Sequence, residues 1–290
     1  MKKLRRTMLF IPGNNPAMLQ DAAILGADSI ILDLEDAVSL TEKDSARSLV
    51  KHAIKNMDYS SIELVVRINP LDTEFGLEDL TTIAKVKPDA LMIPKATQQQ
   101  LLDIDLLLDK IEKEENIENS SIKLIPIIET ALALETVYEI VKSSKRVIAV
   151  LLGAEDLTSD FAIKRTKEGE EIFYARNRVS TACRAARIDA VDTPFTDTND
   201  FEGLEKDSRK AKSLGFTGKA AINPRQVDLI HSVFAPTAQE IKYALRVIFA
   251  KKDANEKGLG VFSLDGKMVD APIINRAMTT IDLAKVLNIL

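Results

Sequence analysis

Two carboxylates and an arginine in this chain stand where short apolar runs break into polar residues. Glu129 follows Ile125-Pro126-Ile127-Ile128, and Asp156 follows Leu151-Leu152-Gly153-Ala154-Glu155. Two carboxylates with no histidine beside them are the ligand type of a hard cation such as Mg2+, whose remaining positions go to water and substrate oxygens. A carboxylate ahead of a helix also serves as an N-cap, the commoner role for either one alone, but their shared place at neighbouring strand ends counts against capping for both. Arg67, in Val66-Arg67-Ile68-Asn69, and Lys95, after Pro94, bring positive charge to the same kind of position. A guanidinium fork can hold a carboxylate bidentately beside a metal, so the substrate is expected to be anionic. The other reading of Arg67 is a buried ion pair with Glu35 or Asp36, from Asp33-Leu34-Glu35-Asp36. Glu35 and Asp36 are themselves candidate catalytic carboxyls. Asn223, in Asn223-Pro224-Arg225, joins Arg67, Glu129 and Lys95 as a candidate substrate contact. Arg176, in Phe173-Tyr174-Ala175-Arg176, falls inside a predicted helix and reads as a solvated surface residue.

The elements that must position these residues are eight apolar runs, at 7–11, 29–32, 64–68, 90–93, 123–127, 147–152, 189–191 and 220–222. Their starts recur every 22 to 42 residues, the period of strand–helix units. Between them lie helical spacings with starting signals. Thr41-Glu42-Lys43-Asp44 ahead of Ala46, Leu49, Val50, Ala53 and Ile54 predicts a capped amphipathic helix. Continuous apolar strands buried on both faces argue for a parallel sheet closed on itself, an α/β fold of the (β/α)8 TIM-barrel type over residues 1–236. Such a barrel places its chemistry where strands run into their following loops, which is where the polar residues stand. Neither GxGxxG nor GxxxxGK[ST] occurs, which argues against a doubly wound nucleotide fold. Residues 237–290 exceed what closing a barrel requires. A helix through Ile241, Leu245 and Ile248, a hairpin signal at Asp265-Gly266 and a last helix after Pro272 make a helix-hairpin-helix extension, read as a lid and subunit contact.

Composition narrows the function classes. Lys and Arg number 39 against 44 Asp and Glu, a net charge of −5, and no long basic cluster is available to follow a phosphate backbone, so nucleic acid is not an expected partner. One cysteine, Cys183, and two histidines, His52 and His231, leave no intrachain disulfide and no Cys/His zinc site. A reducing compartment is expected. The basic start Lys2-Lys3-Leu4-Arg5-Arg6 is followed by an apolar run broken at Ile11-Pro12-Gly13, unlike a secretion signal, and no apolar run approaches the 18 residues of a membrane span. The expected location is the cytoplasm.

Met8-Leu9-Phe10-Ile11-Pro12-Gly13-Asn14, Leu32-Asp33-Leu34-Glu35-Asp36-Ala37-Val38, Val66-Arg67-Ile68-Asn69, Pro94-Lys95, Ile127-Ile128-Glu129-Thr130, Leu152-Gly153-Ala154-Glu155-Asp156 and Ala221-Ile222-Asn223-Pro224-Arg225-Gln226 occur in that order. Together they resemble the citrate lyase β-subunit family of citryl-acyl-carrier-protein lyases, within the wider malyl-CoA lyase and aldolase superfamily. Gly258-Leu259-Gly260-Val261 and Gly266-Lys267-Met268-Val269-Asp270 favour the β-subunit branch. Thr130 departs from the serine that usually follows the metal-binding glutamate, but the hydroxyl is kept. The resemblance implies a (β/α)8 barrel, Mg2+ on Glu129 and Asp156, and Arg67 on a substrate carboxylate. It also implies that Asp270 enters a neighbouring subunit's site and moves the proton of the acetyl carbon. The implied reaction cleaves citryl-acyl-carrier-protein, or citryl-CoA, to oxaloacetate and an acetyl thioester, as in citrate fermentation. The implied partners are the acyl carrier protein (the γ subunit), the α subunit and further copies of this chain in a trimer or hexamer. Arg5, Arg6 and Arg225 are candidate contacts for the carrier's arm. Competing readings are a malyl-CoA or citramalyl-CoA lyase acting on free coenzyme A thioesters, and a silent assembly subunit.

Overall fold

Strands apolar on both faces cannot leave either face to water, and a ring of parallel strands wrapped by helices covers both. In the computed structural model, which describes residues 3–256 and 261–290, the chain takes that solution. Strands β1 (Thr7–Pro12), β2 (Ser29–Asp33), β3 (Glu63–Arg67), β4 (Ala90–Ile93), β5 (Lys123–Ile128), β6 (Ala149–Leu152), β7 (Asp189–Asp192) and β8 (Gly218–Ala221) pair in parallel, each with the next. β1 also pairs with β8, Thr7 opposite Lys219, and closes the barrel. The architecture is the (β/α)8 barrel expected from the spacing of the apolar runs. Among the described residues no helix is long and apolar enough to cross a membrane. Gly258, Leu259 and Gly260 lie outside the described residues.

Side chains alternate along a strand, so one residue in two points into the barrel. Met8, Ile31, Val65, Met92, Ile127, Leu151, Val191 and Ala220 form the interior cluster, one from each strand. Two residues further on, the same alternation arrives at Phe10, Asp33, Arg67, Pro94, Glu129, Gly153, Thr193 and Ile222. The core therefore ends in a layer that carries charge.

Three local expectations need correction. β8 begins at Gly218, two residues before the predicted run, because Lys219 breaks the apolar pattern while being fully buried. Its ammonium donates to Asp192 and Asp207, each at 2.6 Å, and to the Thr193 carbonyl at 2.7 Å. Arg176 is also fully buried rather than solvated, with Nε and Nη2 on Asp192 at 2.9 and 2.8 Å and Nη2 on Asp207 at 2.7 Å. The helix expected from Thr41 starts at Lys43, with Glu42 at its N-cap and no side-chain capping bond. The Lys43 side chain instead turns inward and donates to the Leu34 and Glu35 carbonyls at 2.8 and 2.6 Å.

The chain divides into two compact units, Met1–His231 and Ser232–Leu290. In the second, helices Ala238–Glu256 and Ala271–Val286 accompany an antiparallel hairpin of β9 (Phe262–Leu264) and β10 (Lys267–Val269). Its core joins Ala244, Val247, Val269, Ile274, Ala277 and Ile281. Asp265 and Gly266 both adopt positive φ, as a type I′ turn requires. Asp270 is the N-cap of the last helix, its carboxylate accepting from the Ile273 N–H at 3.3 Å.

Candidate active site at the barrel mouth

A cavity of about 420 Å3 opens at the carboxyl ends of the strands, floored by Phe10, Ile127 and Leu151 and ringed by Asp33, Asp36, Arg67, Glu129, Glu155, Asp156, Thr193 and Thr196. Glu129 follows directly on β5 and is buried. It does not cap the next helix. Thr130 takes that duty, its hydroxyl accepting from the Ala133 N–H at 3.1 Å, and Glu129 is left to the cavity. Glu129 Oε1 accepts from the Lys95 backbone N–H at 2.6 Å. Lys95 holds that amide in place from a left-handed backbone conformation, φ 45°. Its side chain is exposed and outside the cavity's lining, and the contact that Lys95 makes with Glu129 is through the main chain.

Asp156 lies in the first turn of helix Ala154–Asp160, whose N-cap, Gly153, has no side chain to cap with. The helix start is tied to the neighbouring strand end by the Ala154 N–H, which donates to Thr193 Oγ1 at 3.3 Å. Asp156 is exposed and faces Glu129 closely enough for its charge to be felt there. Burial pushes the Glu129 carboxyl up to about 7, and Asp156 adds to the rise against the Lys95 amide.

Arg67 ends β3 and is gripped by acids. Nε and Nη2 bond the two oxygens of Asp33 at 2.7 Å each, and Nη1 lies 3.0 Å from Glu35 and 3.2 Å from Asp36. The guanidinium stacks over Phe10 at 4.9 Å. Burial pushes the Glu35 carboxyl up to about 8, opposed by Arg67 and helped by Asp36, Glu129 and Asp33. The ion-pair reading of Arg67 is what the geometry shows: one edge is held by Asp33, and Nη1 is shared by Glu35 and the well-exposed Asp36 beside the cavity. Asp33 was not anticipated as part of the site. Its strand-end position was visible in the sequence, but its pairing opposite Arg67 is a property of the β2–β3 register.

Asn223 is not in the cavity's lining; its amide oxygen caps the turn Pro224–Gln226 by accepting from the Arg225 N–H at 3.0 Å, and Ile222 takes the lining position. Arg5 and Arg6 lie at the other end of the barrel. Arg5 is buried against Glu63 and Asp189, which begin β3 and β7, and Arg6 bonds Asp28 just before β2. Neither can meet an arm entering at the mouth. Arg225 is on the correct side, exposed, 6.0 Å from the Phe201 ring.

Asp33, Glu35 and Asp36 surround the Arg67 guanidinium, and Glu129 and Asp156 line the same cavity. Among the described residues no three His, Cys, Asp or Glu form a complete metal cage. Two facing carboxylates in excess of local positive charge fit a cation that keeps its own waters, as Mg2+ does.

Residues 6–224 match the protein family described as HpcH/HpaI aldolase/citrate lyase. The chain is similar to citrate lyase subunit beta of Haemophilus influenzae, 47% identical over 284 residues that cover 98% of each chain. It is 31% identical to the mitochondrial citramalyl-CoA lyase of Homo sapiens, over 97% of this chain and 85% of that one. The crystal structure of protein CitE from Mycobacterium tuberculosis, in complex with magnesium, acetoacetate and coenzyme A, superposes with a TM-score of 0.81 at 27% identity, covering 97% of this chain and 98% of that one.

Proposed function

The chain belongs to the HpcH/HpaI aldolase/citrate lyase family, and from that premise we propose that it is the carbon–carbon lyase subunit of a citrate lyase. It is a Mg2+-dependent enzyme that cleaves a citryl thioester to oxaloacetate and an acetyl thioester. The observation that carries this reading is the convergence of Glu129, Asp156 and Arg67 on one cavity at the barrel mouth. Greater identity to a citrate lyase β subunit than to a citramalyl-CoA lyase favours the citryl substrate.

Glu129 and Asp156 would hold Mg2+, which when bound supplies positive charge and Lewis acidity to the substrate's hydroxyl and neighbouring carboxylate oxygens. Arg67 takes a substrate carboxylate on its Nη1 side and fixes the orientation of the bond to be broken. The tertiary hydroxyl gives its proton to solvent at the cavity mouth and becomes the keto group of oxaloacetate, and solvent resupplies Asp270 with the proton it delivers, so the proton count is unchanged overall. The carbon–carbon bond breaks, and its electron pair passes to the thioester fragment as an enolate. Glu35, protonated near neutrality, holds a proton beside Arg67. Asp270, delivered from the extension of a neighbouring copy, protonates the enolate carbon and completes the acetyl thioester. Phe10, Ile127, Leu151, Leu152 and Pro194 line the cavity with apolar surface that limits water at the carbanionic carbon. An acyl carrier protein presents the thioester on its arm, with Arg225 at the rim as a cationic contact. An α subunit regenerates the citryl thioester.

The test is oxaloacetate release by the purified chain from citryl, citramalyl and malyl thioesters with and without Mg2+. The citryl thioester is expected to turn over fastest and only with the metal, and Glu129→Ala and Asp156→Ala are expected to abolish it. Faster turnover of the citramalyl thioester replaces the substrate assignment, and near-normal rates in both alanine variants overturn the metal assignment.

A further inference from the structure

Asp33, the last residue of β2, is fully enclosed, yet every acceptor direction of its carboxylate is in use. Oδ1 accepts from Arg67 Nε at 2.7 Å and from the Glu35 N–H at 2.9 Å, and Oδ2 accepts from Arg67 Nη2 at 2.7 Å and from the Ala37 N–H at 3.0 Å. Asp33 and Arg67 are direct partners in the β2–β3 ladder, and the Leu34 N–H donates to the Arg67 carbonyl at 2.9 Å. A bidentate grip on the Nε–Nη2 edge fixes the plane of a guanidinium in a way that a single contact cannot. The Phe10 ring supports one face of that plane. The remaining Nη1 side is shared by Glu35 at 3.0 Å, nearly buried, and Asp36 at 3.2 Å, which is 69% exposed at its side chain, so it is the Asp36 face of Nη1 that borders the cavity.

We propose that Asp33 is the positioning residue of the substrate-binding arginine: it fixes the Arg67 fork with its Nη1 side toward the cavity, and through the Glu35 and Ala37 amides it fixes the loop beside that side. The inference deepens the lyase reading and rests on it. Asp33 touches no substrate. Its contribution is that Arg67 meets an anionic substrate already oriented, so that little side-chain freedom is lost on binding.

A double-mutant cycle tests this, because residues that act through one another are non-additive. Asp33→Asn, Arg67→Lys and the pair are compared in kcat/KM on the citryl thioester, and in the dissociation constants of oxaloacetate and of Mg2+. Each single change is expected to lower kcat/KM by about 10- to 100-fold, the scale on which misplaced substrates lose rate. The double variant should lie within about threefold of Arg67→Lys, since lysine offers no fork for Asp33 to grip. Asp33→Asn is further expected to weaken oxaloacetate while leaving Mg2+ affinity unchanged, a split that general loss of structure would not produce. Should Asp33→Asn fail to fold, Asp33→Glu, which moves the same acceptors outward by one methylene, carries the same cycle with the same two outcomes. If Arg67→Lys is damaging and the double variant loses the product of the single effects, the positioning role is overturned and the lyase reading stands. If Arg67→Lys is without effect, both fall.

Discussion

Gly153 leaves no room for a side chain beside Glu129. A methyl group there would lie 2.7 Å from both Cβ and Oε2 of Glu129 and 2.9 Å from Ile127 Cγ2. The backbone at Gly153 is ordinary, φ −93°, so the glycine serves space rather than conformational freedom. Gly153→Ala should displace the Glu129 carboxylate, reduce turnover by roughly 100-fold and raise the Mg2+ concentration needed for half-maximal activity, as steady-state kinetics across a metal titration would read. An alanine variant with normal Mg2+ dependence would show that Glu129 can retreat freely. Glu35 makes a prediction in pH. Its carboxyl is pushed up to about 8 in the folded chain from an ordinary 4.5, so its contribution to stability is full below about 4.5 and is lost as pH rises through 8. The melting temperature of the native chain should therefore fall between about pH 5 and 8, and that of Glu35→Gln should fall less; parallel slopes would make Glu35 an ordinary ionised partner of Arg67. At this scale, Glu129, Asp156 and Arg67 were legible because they continue or closely follow the apolar runs that point into the barrel. The contact of the Lys95 amide with Glu129 is not legible in the sequence, which shows only the lysine's charge, and the place of Asp33 is not legible because register is invisible in a single sequence.

The barrel's last strand is held by buried charge rather than by apolar packing alone. Lys219 on β8 and Arg176 on helix Phe173–Ala186 share Asp192 and Asp207, two cations against two anions with no access to water. Removing one member leaves an uncompensated charge, so Lys219→Met should destabilise the chain by about 3–5 kcal/mol in chemical denaturation. Lys167→Met, which breaks the exposed pairs with Asp197 and Asp200, should leave the denaturation midpoint close to that of the native chain. Similar effects at the two positions would mean that water reaches the Lys219 network. This network is also why the eighth strand was placed two residues late: a reading that seeks apolar runs passes over a lysine, although a lysine with two acids to meet belongs to the core. The other strands were legible to within two residues because their apolar runs are nearly unbroken. The helix after β2 was legible in its buried face but not in its start, where Lys43 turns inward.

At the scale of the whole molecule, the chain is two compact units, and the carboxylate assigned to proton transfer is in the second. If each copy lends its Asp270 to the next in a closed ring, two defective variants should complement each other. Asp270→Asn and Arg67→Ala are each expected to be inactive, and mixing them under subunit exchange should restore activity, measured as oxaloacetate release. Confirmed exchange without recovery would place the proton donor within the barrel, where Glu35 is the available carboxyl. The closed ring of strands has another consequence, in time rather than in space. Asp33 meets Arg67 through neighbouring strands, whereas the seam of β1 and β8 joins residues more than two hundred positions apart. Chain entropy makes the distant pairing the slower event, so the anion seat can exist while the cylinder is still open. Until β8 arrives, β1 and β7 are unpaired edges that can recruit other chains. Gly218 governs that arrival, since a methyl group there would sit 1.8 Å from the Arg5 carbonyl oxygen. Gly218→Ala should slow refolding and promote aggregation, whereas Arg67→Lys, however damaging to catalysis, should refold at the native rate.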